Sequence, residues 1–180
     1  MKKETPKLIV QLDNPILRQL AKEVPLADIN SPKIKKIIEE MKASLAETLN
    51  GVALAAPQIG YSLQVFIADQ AQLPPNKESG DPKRNRGPYS VFINPVIIKR
   101  SKKISAVNEG CLSVNNVYGT VKRNDKVLVE AYDETGKKIR RGTSELLAQI
   151  VQHEIDHLNG ITFVDKAEDV VRVIEEKNEQ

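Results

Sequence analysis

Three side chains in this sequence have the types and spacing expected of metal ligands. His153 and His157 are its only histidines and Cys111 is its only cysteine. The segment 153–157 has the pattern H-E-x-x-H. On a helix, residues four apart share a face with Cβ atoms about 5–6 Å apart, so both imidazoles can bind one ion. Glu154 is turned by about 100° from His153, which is the position of a general base. The pattern therefore predicts a metal-dependent hydrolase.

The surroundings of Cys111 support its assignment as the third ligand. It lies in Glu109-Gly110-Cys111-Leu112-Ser113. Gly110 lets backbone come close, and Glu109 offers an acceptor for the second ring nitrogen of a ligand histidine. Buried cysteines usually serve only packing, and histidines on an apolar helix face are usually core residues. The complete H-E-x-x-H motif favours the metal. A thiolate and two neutral imidazoles leave a divalent ion one ligand short of tetrahedral, in the position that water takes in hydrolases.

Composition limits the class of protein. The chain has 180 residues and a formal net charge of +3, which fits one globular domain and gives no argument for binding nucleic acid. One cysteine excludes an intramolecular disulfide. No apolar run approaches the roughly 18 residues of a membrane helix. We therefore expect one catalytic domain spanning 1–180, in the cytoplasm, without DNA or membrane partners.

Periodicity predicts an α+β fold, with antiparallel strands packed around a central H-E-x-x-H helix, N-terminal helices and a C-terminal helix. Helices are expected over 14–24, over 32–50 after an N-cap at Ser31, over 144–158, and over 169–177 within a tail from 166 to 180. Strands are expected at 63–68, 91–98, 127–132, 138–141 and 161–164. Residues 51–60 are expected to form a loop, and 69–90 an exposed insertion.

Three motifs in order resemble the peptide deformylase family. Residues 51–58, GVALAAPQ, are similar to the family's G-x-G-L-A-A-x-Q. Residues 109–113 match E-G-C-L-S, and residues 153–158 match H-E-x-D-H-L. The flanking segments NPILR at 14–18 and FVD at 163–165 also match, so the resemblance covers about 8–165.

The resemblance implies hydrolysis of the N-formyl group from the initiator methionine of nascent polypeptides, with release of formate. It implies one divalent ion, naturally Fe²⁺, while Zn²⁺, Ni²⁺ and Co²⁺ suit the same ligands. Glu154 would be the base, and the Gln58 amide and Leu112 N–H would hold the oxyanion. The substrate would contact Gly51, Ala53, Leu54, Gln58, Leu112 and Ile150. Transient contact with the ribosome is also implied, although 166–180 has three basic and five acidic side chains, a poor anchor for RNA.

Two residues differ from the family motifs, and the role of a third residue has two interpretations. Ala53 replaces the second glycine of the first motif, and Asn115 stands where many relatives have proline. Both departures bear on substrate range and rate more than on the reaction. Arg123 has two equally supported interpretations: it ties the cysteine loop to a carboxylate such as Asp156, or it is a surface residue.

Two other functions fit parts of the sequence. A zinc metalloprotease shares H-E-x-x-H and would take a third ligand from downstream, such as Glu168 or Glu175. A non-catalytic relative would bind metal or formylated peptides without turnover, and Ala53 and Asn115 are its main support.

Overall fold

The computed structural model describes residues 5–72 and 88–173. Two antiparallel sheets form an α+β fold, as predicted. The five-stranded sheet has the spatial order β1 (Ala53–Ala55), β2 (Val65–Asp69), β3 (Tyr89–Arg100), β6 (Lys126–Tyr132) and β7 (Lys138–Ser144). The three-stranded sheet has the order β4 (Ile104–Cys111), β5 (Val114–Asn124) and β8 (Val170–Arg172). All pairings between these strands are antiparallel.

Helix α1, Pro32–Ala46, begins as its sequence predicts. The Ser31 side chain accepts a hydrogen bond from the Ile34 N–H, and Pro32 opens the first turn. The apolar face is buried, consisting of Ile34, Ile37, Ile38, Met41 and Leu45. This face packs in a core cluster with β1, β2 and β3. The helix ends at Ala46, with Glu47 as its C-cap, rather than at residue 50.

Helix α2, Glu145–Leu158, contains the H-E-x-x-H motif and contacts strands of both sheets. Its apolar side packs with the stacked rings of Phe66 and Phe92, whose centroids lie 4.5 Å apart. Gly160 ends the helix with φ of 73°, where the chain passes so close to Arg18 that a Cβ atom would lie 2.7 Å from the Arg18 carbonyl oxygen. A glycine is therefore required at this end of α2.

The C-terminal helix predicted over 169–177 is wrong where the structure describes it. Residues 170–172 form strand β8, which pairs with Val117, Tyr118 and Gly119 of β5. The β-branched Val170, Val171 and Val173 favour an extended chain, and an available sheet edge completes the pairing. Residues 174–177 lie outside the described part of the chain.

Three shorter predictions also need correction. The helix over 14–24 is only a 3-10 turn, Pro15–Arg18, and the strand over 161–164 is a 3-10 turn, Phe163–Asp165. In the latter, Asp165 accepts a hydrogen bond from the Thr162 N–H, which favours a turn over a strand. The loop over 51–60 contains β1 and a 3-10 helix, Ala56–Ile59.

Most of the predicted insertion 69–90 lies outside the described residues. Among the described residues, no helix has the length and apolarity to cross a membrane.

Candidate metal centre

The three predicted ligands meet between β4 and α2. One donor atom each from Cys111, His153 and His157 lies within 4.8 Å of the others. The Cys111 Sγ is 3.1 Å from the His157 Nε2. Tetrahedral bonds of about 2.0–2.3 Å place donor atoms about 3.5 Å apart, so this arrangement is close to that of a metal site.

A tight hairpin brings Cys111 to the helix. The β4–β5 register shifts between Gly110 and Cys111, so that Cys111 pairs with Val114 across a two-residue turn. The Ser113 N–H lies 3.4 Å and the Gln58 Nε2 3.5 Å from the Cys111 Sγ. These two donors face the sulfur and hold it at the end of the hairpin.

A buried ion network fixes His153. The Glu109 carboxylate lies 2.9 Å from His153 Nδ1 and accepts two hydrogen bonds from Arg123, at 2.7 and 2.8 Å. Arg123 also donates to Asp156 on α2. Only 5% of Arg123 is exposed, so its structural interpretation is confirmed and the surface interpretation is wrong. With Nδ1 facing Glu109, the other ring nitrogen of His153 is left for the metal.

Charges in the centre follow from this network. Burial raises the pKa of Glu109, but hydrogen bonds from Arg123 and His153 lower it to about 2, so this group is a carboxylate. Burial and the charge of His153 hold the pKa of His157 well below its usual value, so this ring is neutral. Burial lowers the pKa of His153, yet hydrogen bonds to Cys111 and Glu109 raise it to about 10. A divalent ion that binds here displaces that proton.

Glu154 has the properties of a general base. It is buried, and burial raises its pKa to about 7, near the value that serves proton transfer at neutral pH. Within the described residues, Glu154 Oε2 and His157 Nδ1 are buried without hydrogen-bond partners. Unpaired buried polar atoms are costly and occur at functional sites. The donor set of one thiol and two imidazoles fits a divalent transition metal.

A cleft of about 610 Å³ opens onto the centre. It is lined by most of the predicted substrate contacts: Gly51, Ala53, Gln58, Leu112 and Ile150, and also by Cys111, His153 and Glu154. Leu54 is the exception. Its side chain is fully buried in the core with α1, because successive residues of β1 point to opposite faces. The Leu54 side chain therefore does not line the cleft, and the expected contact of Leu54 with the substrate stays a prediction for its backbone.

Several residues of the cleft carried no signal in the sequence. Tyr118, Asn108, Asn116 and Gln149 also line it. The Gln11 side chain donates to the Leu112 carbonyl at 3.3 Å from a segment 101 positions away. Their spacing along the chain has no period, so only folding brings them together. Ser113, fully buried and 3.2 Å from Gln58, could have been noted as the last residue of the E-G-C-L-S motif.

The protease interpretation requires a downstream carboxylate as third ligand. Glu168 forms a surface ion pair with Lys122 and does not belong to the group of donor atoms. Glu175 lies outside the described residues. The donor atom that lies within 4.8 Å of those of His153 and His157 is the sulfur of Cys111.

Comparison with known proteins agrees with this geometry. The sequence matches the polypeptide deformylase family over residues 6–173. The chain belongs to the peptide deformylase family. It is 37% identical to a peptide deformylase of Synechocystis over 91% of this chain and 80% of that one. It is 39% identical to peptide deformylase 1 of Vibrio vulnificus over 87% and 83%, respectively. The chain spans 60% of a longer chloroplastic/mitochondrial relative, peptide deformylase 1A of Arabidopsis thaliana.

Solved structures of peptide deformylases share the fold. The class I type b enzyme of Acinetobacter baumannii superposes with a TM-score of 0.79 at 32% identity, over 91% of this chain and 99% of that one. The same enzyme with Met-Ala-Ser bound gives a TM-score of 0.77 at 32% identity, over 90% and 98%. Peptide deformylases are metalloenzymes of protein biosynthesis that hydrolyse the N-formyl group of nascent polypeptides, and this chain has that activity.

Proposed function

We propose that Cys111, His153 and His157 hold one divalent ion and that Glu154 is the catalytic base of the deformylation. The convergence of three donor atoms within 4.8 Å, from a hairpin and a helix 42 or more positions apart, carries this proposal. When bound, the ion polarises the formyl carbonyl and makes a water molecule more acidic.

The side chains around the centre have distinct roles in this proposal. Glu154 takes a proton from the attacking water and passes it to the departing amine, since its pKa of about 7 permits both transfers. The Gln58 Nε2, which lies 3.5 Å from the Cys111 sulfur, and the Leu112 N–H stabilise the oxyanion. The Gln58 Oε1 accepts the Ala55 N–H at 2.8 Å, which fixes the orientation of the amide.

The substrate lies along β1 in this proposal. This strand is at one end of the five-stranded sheet and borders the cleft, so a formylated peptide can add to it as a further strand. Gly51, Ala53 and Ile150 contact the substrate from one side, and Leu112 from the other. The Acinetobacter relative with Met-Ala-Ser bound supports a short N-terminal peptide as the occupant.

Fe²⁺ is our proposal for the natural ion because the resemblance to peptide deformylases implies it. Zn²⁺, Ni²⁺ and Co²⁺ are proposed as functional replacements, since a thiolate with two imidazoles suits all four ions. We also propose that 1–180 acts as one catalytic domain. A cytoplasmic location is proposed because a reducing compartment protects the thiolate of Cys111. Contact with the ribosome is proposed to be transient.

The deciding experiment combines activity with metal analysis. Protein is purified without oxygen, its metal is identified, and formate release from formyl-Met-Ala-Ser is measured on the same sample. We expect turnover that Glu154→Ala abolishes while the metal content stays unchanged. Binding of the formylated peptide without formate release in all four metal forms would instead identify a non-catalytic relative.

A further inference from the structure

An apolar surface continues the cleft across the three-stranded sheet. Gly110 of β4 pairs directly with Tyr118 of β5, and Tyr118 pairs with Val171 of β8. Residues directly opposite each other in adjacent strands point to the same face of a sheet. Val171 therefore lies on the same face of the sheet as Tyr118, which itself lines the cleft. The row thus runs from the strand of Cys111 to the edge of the sheet.

The side chains of this row are exposed although they are large and apolar. Tyr118 is 52% exposed, Val171 61% and Val173 48%. The Val173 N–H donates to the Asn116 carbonyl at 2.8 Å, so Val173 lies next to another residue of the cleft. We call Tyr118, Val171 and Val173 the apolar lip. Contiguous exposed apolar side chains beside a cleft are typical of a binding surface.

Tyr118 connects the lip to the centre. A Cβ atom at Gly110 would lie 2.9 Å from the Tyr118 ring, so the ring covers the backbone beside Cys111. Strands are about 4.8 Å apart, which places Val171 about 10 Å from Gly110. An extended peptide covers about 10 Å in three residues. A peptide that runs from the metal centre past Gly110 and across these strands would therefore reach Val171 with its third to fifth residues.

We propose that the apolar lip binds apolar side chains at positions three to five of the formylated polypeptide, so that it selects among nascent chains. This inference rests on the proposed function. The occupant is the downstream part of the substrate because the lip is continuous with the proposed substrate cleft. The next side chain of β8, Arg172, belongs to the opposite face of the strand, so the lip itself carries no charge.

Strand β8 supplies a matched control. Val170 and Val171 are neighbours in the same strand with similar exposure, 53% and 61%, but their side chains point to opposite faces. A substitution of Val170 therefore changes the same strand at a residue of similar exposure, without touching the lip.

The experiment compares two substrates of equal length, formyl-Met-Ala-Leu-Val-Leu and formyl-Met-Ala-Ser-Ser-Ser, with the metal-loaded full chain. Selectivity is the ratio of their kcat/KM values, and we expect the apolar peptide to be preferred. Val171→Lys should lower this ratio about tenfold and Val171→Thr, which retains strand propensity, about threefold, mainly through KM. Val170→Lys and Val170→Thr should keep the ratio of the wild type.

Three results would overturn the inference while the proposed function stands. The first is formate release from both peptides with equal kcat/KM in the wild type. The second is an equal loss of selectivity in the Val170 and Val171 variants. The third is a dimer, measured by size-exclusion chromatography, that Val171→Lys dissociates without a change in selectivity, because then a second copy covers the lip.

Failure of the proposed function gives a different result. The wild type then releases formate from neither peptide in any metal form. In that case the lip is tested by photo-crosslinking, with a benzophenone side chain at position four of the unformylated peptide. Attachment to the strand of Val171 supports the lip, and attachment elsewhere or none overturns it.

Discussion

Glu109 and His153 form the contact that links the cysteine hairpin to helix α2. Oε2 of Glu109 lies 2.9 Å from Nδ1 of His153, and 4% of Glu109 and 5% of Arg123 are exposed. The Arg123 guanidinium holds the pKa of this carboxyl, which burial alone would raise, at about 2. The negative charge of Glu109 orients the imidazole and makes its other nitrogen a better ligand.

Glu109→Gln tests this link. The amide keeps the shape of the side chain but loses its charge, so we expect metal affinity to fall about 10- to 100-fold. The measurement is a titration of the metal-free protein against a competing chelator. Glu130→Gln is the control, since Glu130 pairs with Arg140 on the five-stranded sheet. Equal affinity of the Glu109 variant and the wild type would contradict the role given to Glu109.

Cys111→Ser tests whether the sulfur of Cys111 is the third metal ligand. A serine hydroxyl is a poor ligand for a soft divalent ion, so we expect the metal affinity and formate release to fall at least about 100-fold. Metal content and formate release are measured on one preparation. Glu154→Ala is the control. We expect this variant to lose formate release but to keep the metal, so that loss of the metal can be assigned to the change at Cys111. Retained metal affinity and formate release in the Cys111 variant would show that another side chain is the third ligand.

Asp165→Asn tests which interactions stabilise the 3-10 turn Phe163–Asp165. Burial raises the pKa of Asp165, but hydrogen bonds from Arg18 and Thr162 lower it below its usual value. A lowered pKa in the folded state means that the ionised form stabilises the protein above about pH 4, the value in the unfolded chain. This stabilisation is lost as the pH falls through the lower, folded value. We expect the variant to be less stable by about 1 kcal/mol at pH 7, after allowance for solvent screening.

The measurement for Asp165 is urea unfolding between pH 7 and pH 3. The difference between wild type and Asp165→Asn should be constant down to about pH 4 and shrink below it. A difference that stays constant down to pH 3 would show that the charge of Asp165 has no part in stability.

Ala53→Gly tests the departure in the first motif. Ala53 is in the extended chain of β1, paired with Ala68, and does not need the conformational freedom of glycine. We expect glycine to lower the free energy of unfolding by about 0.5–1 kcal/mol, because it is more flexible in the unfolded chain. Its effect on the cleft is measured as kcat/KM for peptides that differ at position two. Selectivity identical to that of the wild type would show that the Ala53 methyl does not contact the substrate.

Local interactions explain what the sequence determined by itself. The spacing of His153, Glu154 and His157 fixes their relative positions because a helix repeats every 3.6 residues. Ser31 and Pro32 determine the start of α1 through contacts within one turn. The proposed metal ligands were thus recognisable because two share a helix and Cys111 is the only thiol.

Tertiary structure decided what depends on residues distant in sequence. Val170–Arg172 is compatible with a helix by periodicity, but the free edge of β5 made it a strand. The side chain of Leu54 is in the core rather than the cleft because sheet pairing sets which face of β1 each residue occupies. Arg123 became a buried partner of Glu109 and Asp156 only when the hairpin packed against α2. In each case the deciding energy comes from burial and pairing between segments far apart in the chain, and no local pattern encodes it.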